Sequence, residues 1–375
     1  MFDYHTAEQR AILESVTKLG LSLFALGKEP TPQQLFSEFS KLGLAGLGIS
    51  SEYGGLGEGM VTSTMVMQAL ASINLGPAIF ISVHGMVSGL IERFGDTSQK
   101  EHYLPRLARG ELLAAFALTE SQAGSDASAL KMSATRDGDD YILNGSKIYI
   151  TSGGFADLYI VFAKTAPDLG AKGISAFLVE HNAPGLSFGA AERKMGCELS
   201  PICSLFFDNV RVSRSALVGG EHAGYSVALG GLAGGRINIA ACANGLSSTA
   251  IERATQFMKE RSQFGRPIAE FQGLQFMLAD MKIMLEAAEL LTWQAAQERD
   301  IRPESEHNTT FPSYAKCFAT DAAMKITTDA VQLFGGAGYL EDHGVEQLMR
   351  DAKMLQIVEG TNQIQRVVIA REMLR

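Results

Sequence analysis

The sequence predicts a mostly α, multidomain α+β protein. A helical N-terminal domain is expected over residues 1–112, a central antiparallel β-domain over 113–221, and a C-terminal four-helix bundle over 222–375. Apolar residues recur at helical spacing in the first region, give way to short runs around Asp-Gly and Asn-Gly, then return at helical spacing over much longer segments. No βαβ alternation appears, which argues against a doubly wound parallel sheet. A chain of 375 residues also exceeds what one simple core holds.

In the first region, Ala7–Leu19, Gln33–Leu42, Met60–Ile73, Ile79–Phe94 and Gln99–Ala108 carry helical periodicity between Gly and Pro punctuation. Ser51-Glu52-Tyr53-Gly54-Gly55-Leu56-Gly57 reads as a glycine-rich loop. In the second region, Leu130–Arg136, Tyr141–Leu143, Lys147–Ile150, Leu158–Lys164, Ile174–Val179 and Ile202–Phe207 read as strands. Asp137-Gly138 and Asn144-Gly145 are hairpin signals. In the third, Leu232–Lys259, Phe271–Arg299, Tyr314–Phe334 and Gly344–Met354 read as helices joined by short turns, the pattern of an antiparallel bundle. Their apolar content exceeds what one bundle core needs, so some faces are expected to meet other subunits.

Composition excludes several function classes. The chain is 46% hydrophobic and 19% charged, with a net charge of −9 and a pI of about 5.4, so it lacks the basic face a nucleic-acid binder needs. No apolar run reads as a membrane span, and Met1–His5 reads neither as a signal peptide nor as an Arg-rich transit peptide. Cys197, Cys203, Cys242 and Cys317 form no CxxC pair, which fits reduced thiols in a cytosol-like compartment. Scattered histidines give no metal-site spacing.

Several constellations could carry chemistry. Leu118-Thr119-Glu120-Ser121-Gln122-Ala123-Gly124-Ser125-Asp126 offers hydroxyls and close-approaching N–H groups to a ring edge or a pyrophosphate, or is a plain loop. Tyr149 and Thr151, two apart on a strand, could stack on a flat ring and bond its polar edge, or simply end a half-buried strand. Arg261–Pro267 breaks two long helices and offers an arginine fork. Phe334-Gly335-Gly336-Ala337-Gly338-Tyr339 follows a helix rather than a strand and fails as a dinucleotide fingerprint. Neither a nucleophile elbow nor a P-loop is present.

The richest stretch is Val358-Glu359-Gly360-Thr361-Asn362-Gln363-Ile364-Gln365-Arg366. Leu355, Ile357 and Val358 lead into one carboxylate, Gly360 frees the backbone to turn, and Thr361 can cap a last helix whose buried face is expected at Ile364, Val367 and Val368. Apolar neighbours raise a carboxylate's pKa and a helix N-terminus lowers it, so Glu359 is either a general base poised near neutrality or a surface glutamate in a turn.

Together these motifs, in this order, resemble the acyl-CoA dehydrogenase family over nearly the whole chain, from Glu52-Tyr53-Gly54-Gly55-Leu56-Gly57 to the C-terminus. The resemblance implies the acyl-CoA dehydrogenase fold, FAD as cofactor and a homotetramer built as a dimer of dimers. It also implies an acyl-CoA substrate and an electron-transfer flavoprotein as acceptor. Glu359 takes the position of the family's base, which removes the α-proton of a thioester while the β-hydride passes to the flavin. The enolate oxygen is expected at the Glu359 N–H and a ribityl hydroxyl.

The flavin-side positions are Phe116, Leu118, Thr119, Ser125, Tyr149 and Thr151. Arg261, Phe271, Gln272, Gln332, Gly335 and Gly336 match residues that reach the adenosine diphosphate across a subunit boundary, and Thr361, Asn362 and Gln363 match a further contact. Ser125, Ala233, Gly235, Arg236, Gly360 and Arg371 fall on the substrate side. Isovaleryl and long-chain relatives place their base just before the arginine of the first bundle helix, and here that residue is Gly235. Gly234-Gly235-Arg236-Ile237-Asn238-Ile239-Ala240 is similar to the short-chain and isobutyryl branch, so Gly235 either leaves room for a short or branched acyl group or fits a helix crossing.

Ser121-Gln122 replaces the usual Pro-Gly, Val358 stands where many members have tyrosine, Ala233 where several have an acid, and Lys28–Pro32 looks abbreviated. The expected function is α,β-dehydrogenation of a short or short-branched acyl-CoA in fatty-acid or branched-chain amino-acid breakdown. The place is the cytoplasm, or the mitochondrial matrix for a processed eukaryotic chain. Oxidase, carrier-protein-tethered and non-dehydrogenating flavin-binding relatives are the alternatives.

Overall fold

The computed structural model describes residues 6–375 except 26, 27 and 29, so part of the Lys28–Pro32 stretch lies outside the described residues. Five helices come first: α1 (Ala7–Leu23), α2 (Pro32–Lys41), α3 (Met60–Ile73), α4 (Leu75–Phe94) and α5 (Thr97–Ala108). Their starts follow capping chemistry. Thr6, Thr31 and Asp96 each accept an N–H from a Gln three residues on whose side chain returns the bond, so α1, α2 and α5 begin at fixed residues.

Eight strands follow: β1 (Ala114–Ala117), β2 (Ser133–Asp137), β3 (Asp140–Thr151), β4 (Leu158–Lys164), β5 (Ile174–Glu180), β6 (Leu186–Phe188), β7 (Ile202–Ser213) and β8 (Leu217–Val218). The sheet is mixed, which corrects the expected antiparallel domain. Its order is β6-β7-β3-β2-β4-β5-β8, and β1 runs parallel to β4. Hairpin signals report only sequence neighbours. β1 and β4 are separated by a whole excursion of chain, which returns in the same direction.

The second turn signal is corrected as well. Asn144-Gly145 lies inside the continuous β3, where the register against β7 shifts between Leu143 and Gly145. Gly145 sits at φ +143°, and the Asn144 side chain accepts the Asn209 backbone N–H (2.8 Å) and donates its Nδ2 to Asn209 Oδ1 (3.2 Å) across the strands. The Asp137-Gly138 hairpin forms, with pairing carried out to Asp137–Asp140.

A long helix α6 (Gly224–Glu260) leads into a two-residue ribbon, β9 (Ser262–Gln263) and β10 (Arg266–Pro267). Then come α7 (Gln272–Ile301), α8 (His307–Phe334), α9 (Val345–Leu355) and α10 (Asn362–Met373). Helices α4 and α6 are long and apolar enough to cross a membrane, but 78% and 72% of their apolar windows are buried inside the protein. That burial is what core helices show. Small residues explain how α6 can be the central post: Gly245 lies so close to α3 that a Cβ there would meet the backbone of Gln68 and Ser72. All four cysteines are free and buried.

Candidate active site

α9 delivers the chain to Glu359. The N–H groups of Ile357 and Val358 both close on the Met354 carbonyl (2.9 and 3.1 Å), and Asn362 N–H bonds Gln356 O at 3.0 Å across the turn. Glu359 and Gly360 stand at φ +55° and +85°. A left-handed non-glycine residue costs about 1–3 kcal/mol and persists only where its surroundings over-determine it. Here they do. The Glu359 carbonyl accepts from Arg236 Nε and Gln365 Nε2, both at 3.2 Å. The Gly360 carbonyl accepts from Gln365 Nε2 (2.7 Å) and Lys316 Nζ (3.0 Å). A side chain at Gly360 would bring its Cβ to 2.9 Å from Gln365 Nε2.

Thr361 caps α10 by accepting the Ile364 N–H at 3.3 Å. The inward face of α10 is polar, however, which corrects the expected apolar one. Asn362 and Gln365 are buried, whereas Val367 is 41% exposed. The carbonyls of the turn require donors, and donors must come from polar side chains.

The Glu359 carboxylate is thereby left without donors. Its Oε2 is buried and accepts no hydrogen bond. Burial pushes its pKa up to about 7, against the pull of Arg236 and Lys316. Opposite it, a Cβ placed at Gly235 would lie 2.8 Å from Oε2. The Glu359 N–H donates to nothing among the described residues, so a donor and a base sit on one residue.

Gly235 lines a cavity of about 410 Å³ between α3, α4, α6 and the end of α7, within the usual size of small-molecule sites, about 300–1,000 Å³. Met60, Met67, Ile81 and Leu90 form the apolar part of its walls, Arg93, Arg299 and Asp300 are among the charged residues that also line it, and Gly85 and Gly89 of α4 and Gly230, Gly231 and Gly234 of α6 open it. Asn238, one turn past Gly235, is held by Ser63 and Ser82 at 3.1 and 3.2 Å. Sequence reasoning placed Gly234 and Gly235 on the substrate side but missed the rest of this lining, as it missed Lys316 and the part played by Gln365. The glycine pairs four apart on α4 and α6 were its one legible signal.

The other expected positions fall into two groups. Phe116 packs on Phe162 (ring centroids 5.0 Å apart) and Leu118 is buried. The Thr119 carbonyl accepts the Ile148 N–H at 2.9 Å, fixing the loop against β3, and Ser125 is exposed. Tyr149 is 62% exposed at φ +58°, beside a register shift, so strand alternation alone does not set its direction, and Thr151 is half-buried. Exposed Arg261 and Gln272 and half-buried Phe271 lie beyond the far end of α6, and exposed Gln332, Gly335 and Gly336 end α8. Phe257 and Phe334 stack at 4.1 Å, which holds these two helix ends together. Arg236 is 24 residues from the end of α6 at Glu260, about 36 Å at 1.5 Å per residue. One chain therefore does not bring Arg261 to Glu359. Half-buried Thr361 and exposed Gln363 begin α10, and Arg371 is exposed on its last turn.

Comparison with known proteins gives the same frame. The N-terminal, middle and C-terminal domains of acyl-CoA dehydrogenase match residues 6–111, 115–210 and 222–374. The chain is 46% identical to an acyl-CoA dehydrogenase of Bacillus subtilis over 92% of its own length and 90% of the relative's. The chain belongs to the acyl-CoA dehydrogenase family. It is also 40% identical to the mitochondrial isobutyryl-CoA dehydrogenase of Dictyostelium discoideum, covering 92% of this chain and 83% of that one. The solved butyryl-CoA dehydrogenase of Megasphaera elsdenii superposes with a TM-score of 0.94 at 38% identity, over the full length of both chains.

As an acyl-CoA dehydrogenase this protein is an FAD-dependent oxidoreductase acting on CH–CH donors. The structure fits that cofactor. An aromatic side chain, Tyr149, is held outward by a strained backbone, and Gly335 and Gly336 leave open space where a Cβ would stand.

Proposed function

We propose that the protein dehydrogenates a short or short-branched acyl-CoA thioester to the 2-enoyl-CoA, with Glu359 as the base. One observation carries this: a buried carboxylate with an unpartnered oxygen faces Gly235, and Gly235 itself lines a cavity with an apolar part and a charged part. Glu359 would take an α-proton of an acyl chain lying against Gly235. A pKa of about 7 suits a base that must accept a proton near neutrality and release it after turnover. The Glu359 N–H would donate to the thioester oxygen as negative charge grows there, the term on which an unaided carboxylate depends. FAD, when bound, supplies the acceptor for the β-hydrogen and its electron pair. Arg236 and Gln365 fix the turn, so base and donor move together.

Phe116, Leu118, Thr119, Ser125, Tyr149 and Thr151 would hold the flavin end of FAD. Arg261, Phe271, Gln272, Gln332, Gly335 and Gly336 would hold the adenosine end from a second subunit in a homotetramer, with Thr361 and Gln363 completing the site. Ser125, Gly235, Arg236, Gly360 and Arg371 would face the substrate. The 36 Å span of α6 supports the division between subunits. Butyryl- and isobutyryl-CoA dehydrogenase relatives support a small acyl group, the latter being a mitochondrial protein, and likeness to a solved chain described with an electron transferring flavoprotein supports that acceptor over O₂.

The test is anaerobic bleaching of the bound flavin by butyryl-, isobutyryl-, isovaleryl- and octanoyl-CoA. Bleaching by the four-carbon thioesters is expected. No bleaching by any of the four would overturn the reading, and bleaching only by carrier-protein thioesters would move it to the tethered class.

A further inference from the structure

Lys316, in the middle of α8, is completely buried. Its Nζ donates to the Gly360 carbonyl at 3.0 Å and to Asn362 Oδ1 at 2.8 Å, and no carboxylate lies within ion-pair distance among the described residues. A buried ammonium without an anion is costly, so its retention calls for a reason.

The residues around it are arranged to hold it there. Asn362 is oriented by Nδ2 bonds to Thr320 Oγ1 (2.8 Å) and Asp321 Oδ1 (2.7 Å). Asp321 is in turn engaged by Arg366 and Gln356, each at 2.7 Å, so its charge is answered on the far side. Glu359 is the carboxylate left facing Lys316 without a donor of its own.

We propose that Lys316 is a positioning residue for the reaction: its ammonium clamps the carbonyl of Gly360, and its charge keeps the neighbouring Glu359 carboxylate able to accept a proton. The proposal rests on the reading of Glu359 as base. The clamp acts on the Gly360 carbonyl, directly after the left-handed Glu359, where a lost bond would free the turn.

Charged groups facing Glu359 are few. α6 brings Arg236 and α8 brings Lys316. α10 offers neutral Gln365, while its Arg366 is committed to Asp321. The segment after α9 offers neutral Gln356, to which Lys353 is bonded. On the α7 side the guanidinium of Arg299 stands behind Gly234, one residue from Gly235. Burial lowers the Lys316 pKa to about 8 against the pull of Glu359, so the ammonium is charged at neutral pH.

The test uses the FAD-loaded tetramer and reads Glu359 directly, by difference infrared spectroscopy of its carboxylic-acid band with Glu359→Gln as the blank. In Lys316→Met the band should persist to a pH about 1 unit higher than in wild type. The acidic limb of kcat should move with it, and Lys316→Arg should restore both. Lys316→Gln keeps a donor without the charge and should shift like Lys316→Met, which covers a Met variant that fails to retain FAD. An unmoved band in both Met and Gln variants would overturn the proposal, as would a kcat loss with an unmoved limb, the mark of a merely structural role. If the band moves while wild type is bleached by no thioester, Lys316 retains its hold on Glu359 and the base reading fails instead.

Discussion

Gly235 and Glu359 stand face to face: a Cβ on the glycine would come within 2.8 Å of the carboxylate carbon and of Oε2, and within 3.1 Å of Oε1. The carboxylate cannot retreat, because its own backbone is bonded to Arg236, the residue after that glycine. Gly235→Ala should therefore fold and bind FAD but displace the base. A misplacement near 1 Å costs on the order of 100-fold in kcat. Steady-state kinetics beside flavin absorbance would check it, and an Ala variant with wild-type kcat would show that the carboxylate works from another position.

The proposed role of Glu359 as base has two linked consequences. Glu359→Gln should keep yellow, assembled protein and lose nearly all turnover, while wild-type kcat/KM should rise with pH through about 7 and level off above, since the proton acceptor is the ionised form. Stability follows the opposite sign. A carboxylate whose folded pKa is raised contributes fully below its unfolded value of 4.5, and that contribution is lost as pH rises through about 7. The rise from 4.5 to about 7 amounts to roughly 3 kcal/mol. Glu359→Gln should therefore melt no higher than wild type at pH 4 and several degrees higher at pH 8, by differential scanning calorimetry. Equal melting differences at both pH values would mean that the carboxylate is hydrated.

Much of this was legible in the sequence because it is local. Apolar periodicity between glycine and proline punctuation placed α3 at Met60–Ile73, and Gly360-Thr361 marked the start of α10. What was hidden depends on where the backbone turns and on what meets it in space. Asn144-Gly145 has hairpin composition, yet its strand continues because Asn209 on β7 completes its bonds. Ile364 and Val367 have core composition, yet Gln365 turns inward because the left-handed turn just before it leaves the Glu359 and Gly360 carbonyls in need of its amide. Lys316 lies 43 positions before Glu359, and nothing near it in sequence announces the Gly360 carbonyl it serves.

The cavity should set acyl size. Gly85 and Gly89 face open space, with no atom within 4 Å of an added Cβ. Gly85→Val and Gly89→Val should therefore fill volume without strain. The expected outcome is kcat/KM for octanoyl-CoA falling at least ten-fold while butyryl-CoA is spared, about 1.4 kcal/mol of discrimination. Equal losses on both substrates would place the acyl chain elsewhere.

The loop carrying Thr119 hangs on a buried ion pair. Lys147 Nζ bonds Glu120 Oε1 at 2.7 Å and the Leu118 carbonyl at 3.0 Å. The Glu120 carboxylate also accepts the Lys131 and Met132 N–H groups at 2.7 and 3.0 Å. Burial opposes both charges. For Glu120 it is outweighed by Lys147 and these N–H donors, which hold its pKa below the usual range. Lys147→Met strands that carboxylate, a loss of about 3–5 kcal/mol. Reduced Tm together with weakened FAD retention is expected, and Glu120→Gln in the same chain should recover part of both. A Met variant with unchanged Tm and FAD content would show that the loop holds without the pair.

The span of α6 makes the last prediction, on assembly. Arg236 and Glu260 are separated by 24 residues of unbroken helix, about 36 Å, so Glu359 and Arg261 of one chain would belong to different FAD sites. Two inactive variants should then repair each other. Glu359→Gln would lack the proposed base, and an Arg261→Ala, Gln332→Ala double variant would lack the proposed adenosine contacts. In a mixed pair, one site receives its base from the second chain and its adenosine contacts from the first, both intact, while the other receives both defects. Co-expression should restore up to half of the wild-type turnover per mixed pair, and mixing after folding should restore it only as subunits exchange. Failure of the co-expressed, mixed assembly to exceed either parent would show that each chain completes its own site.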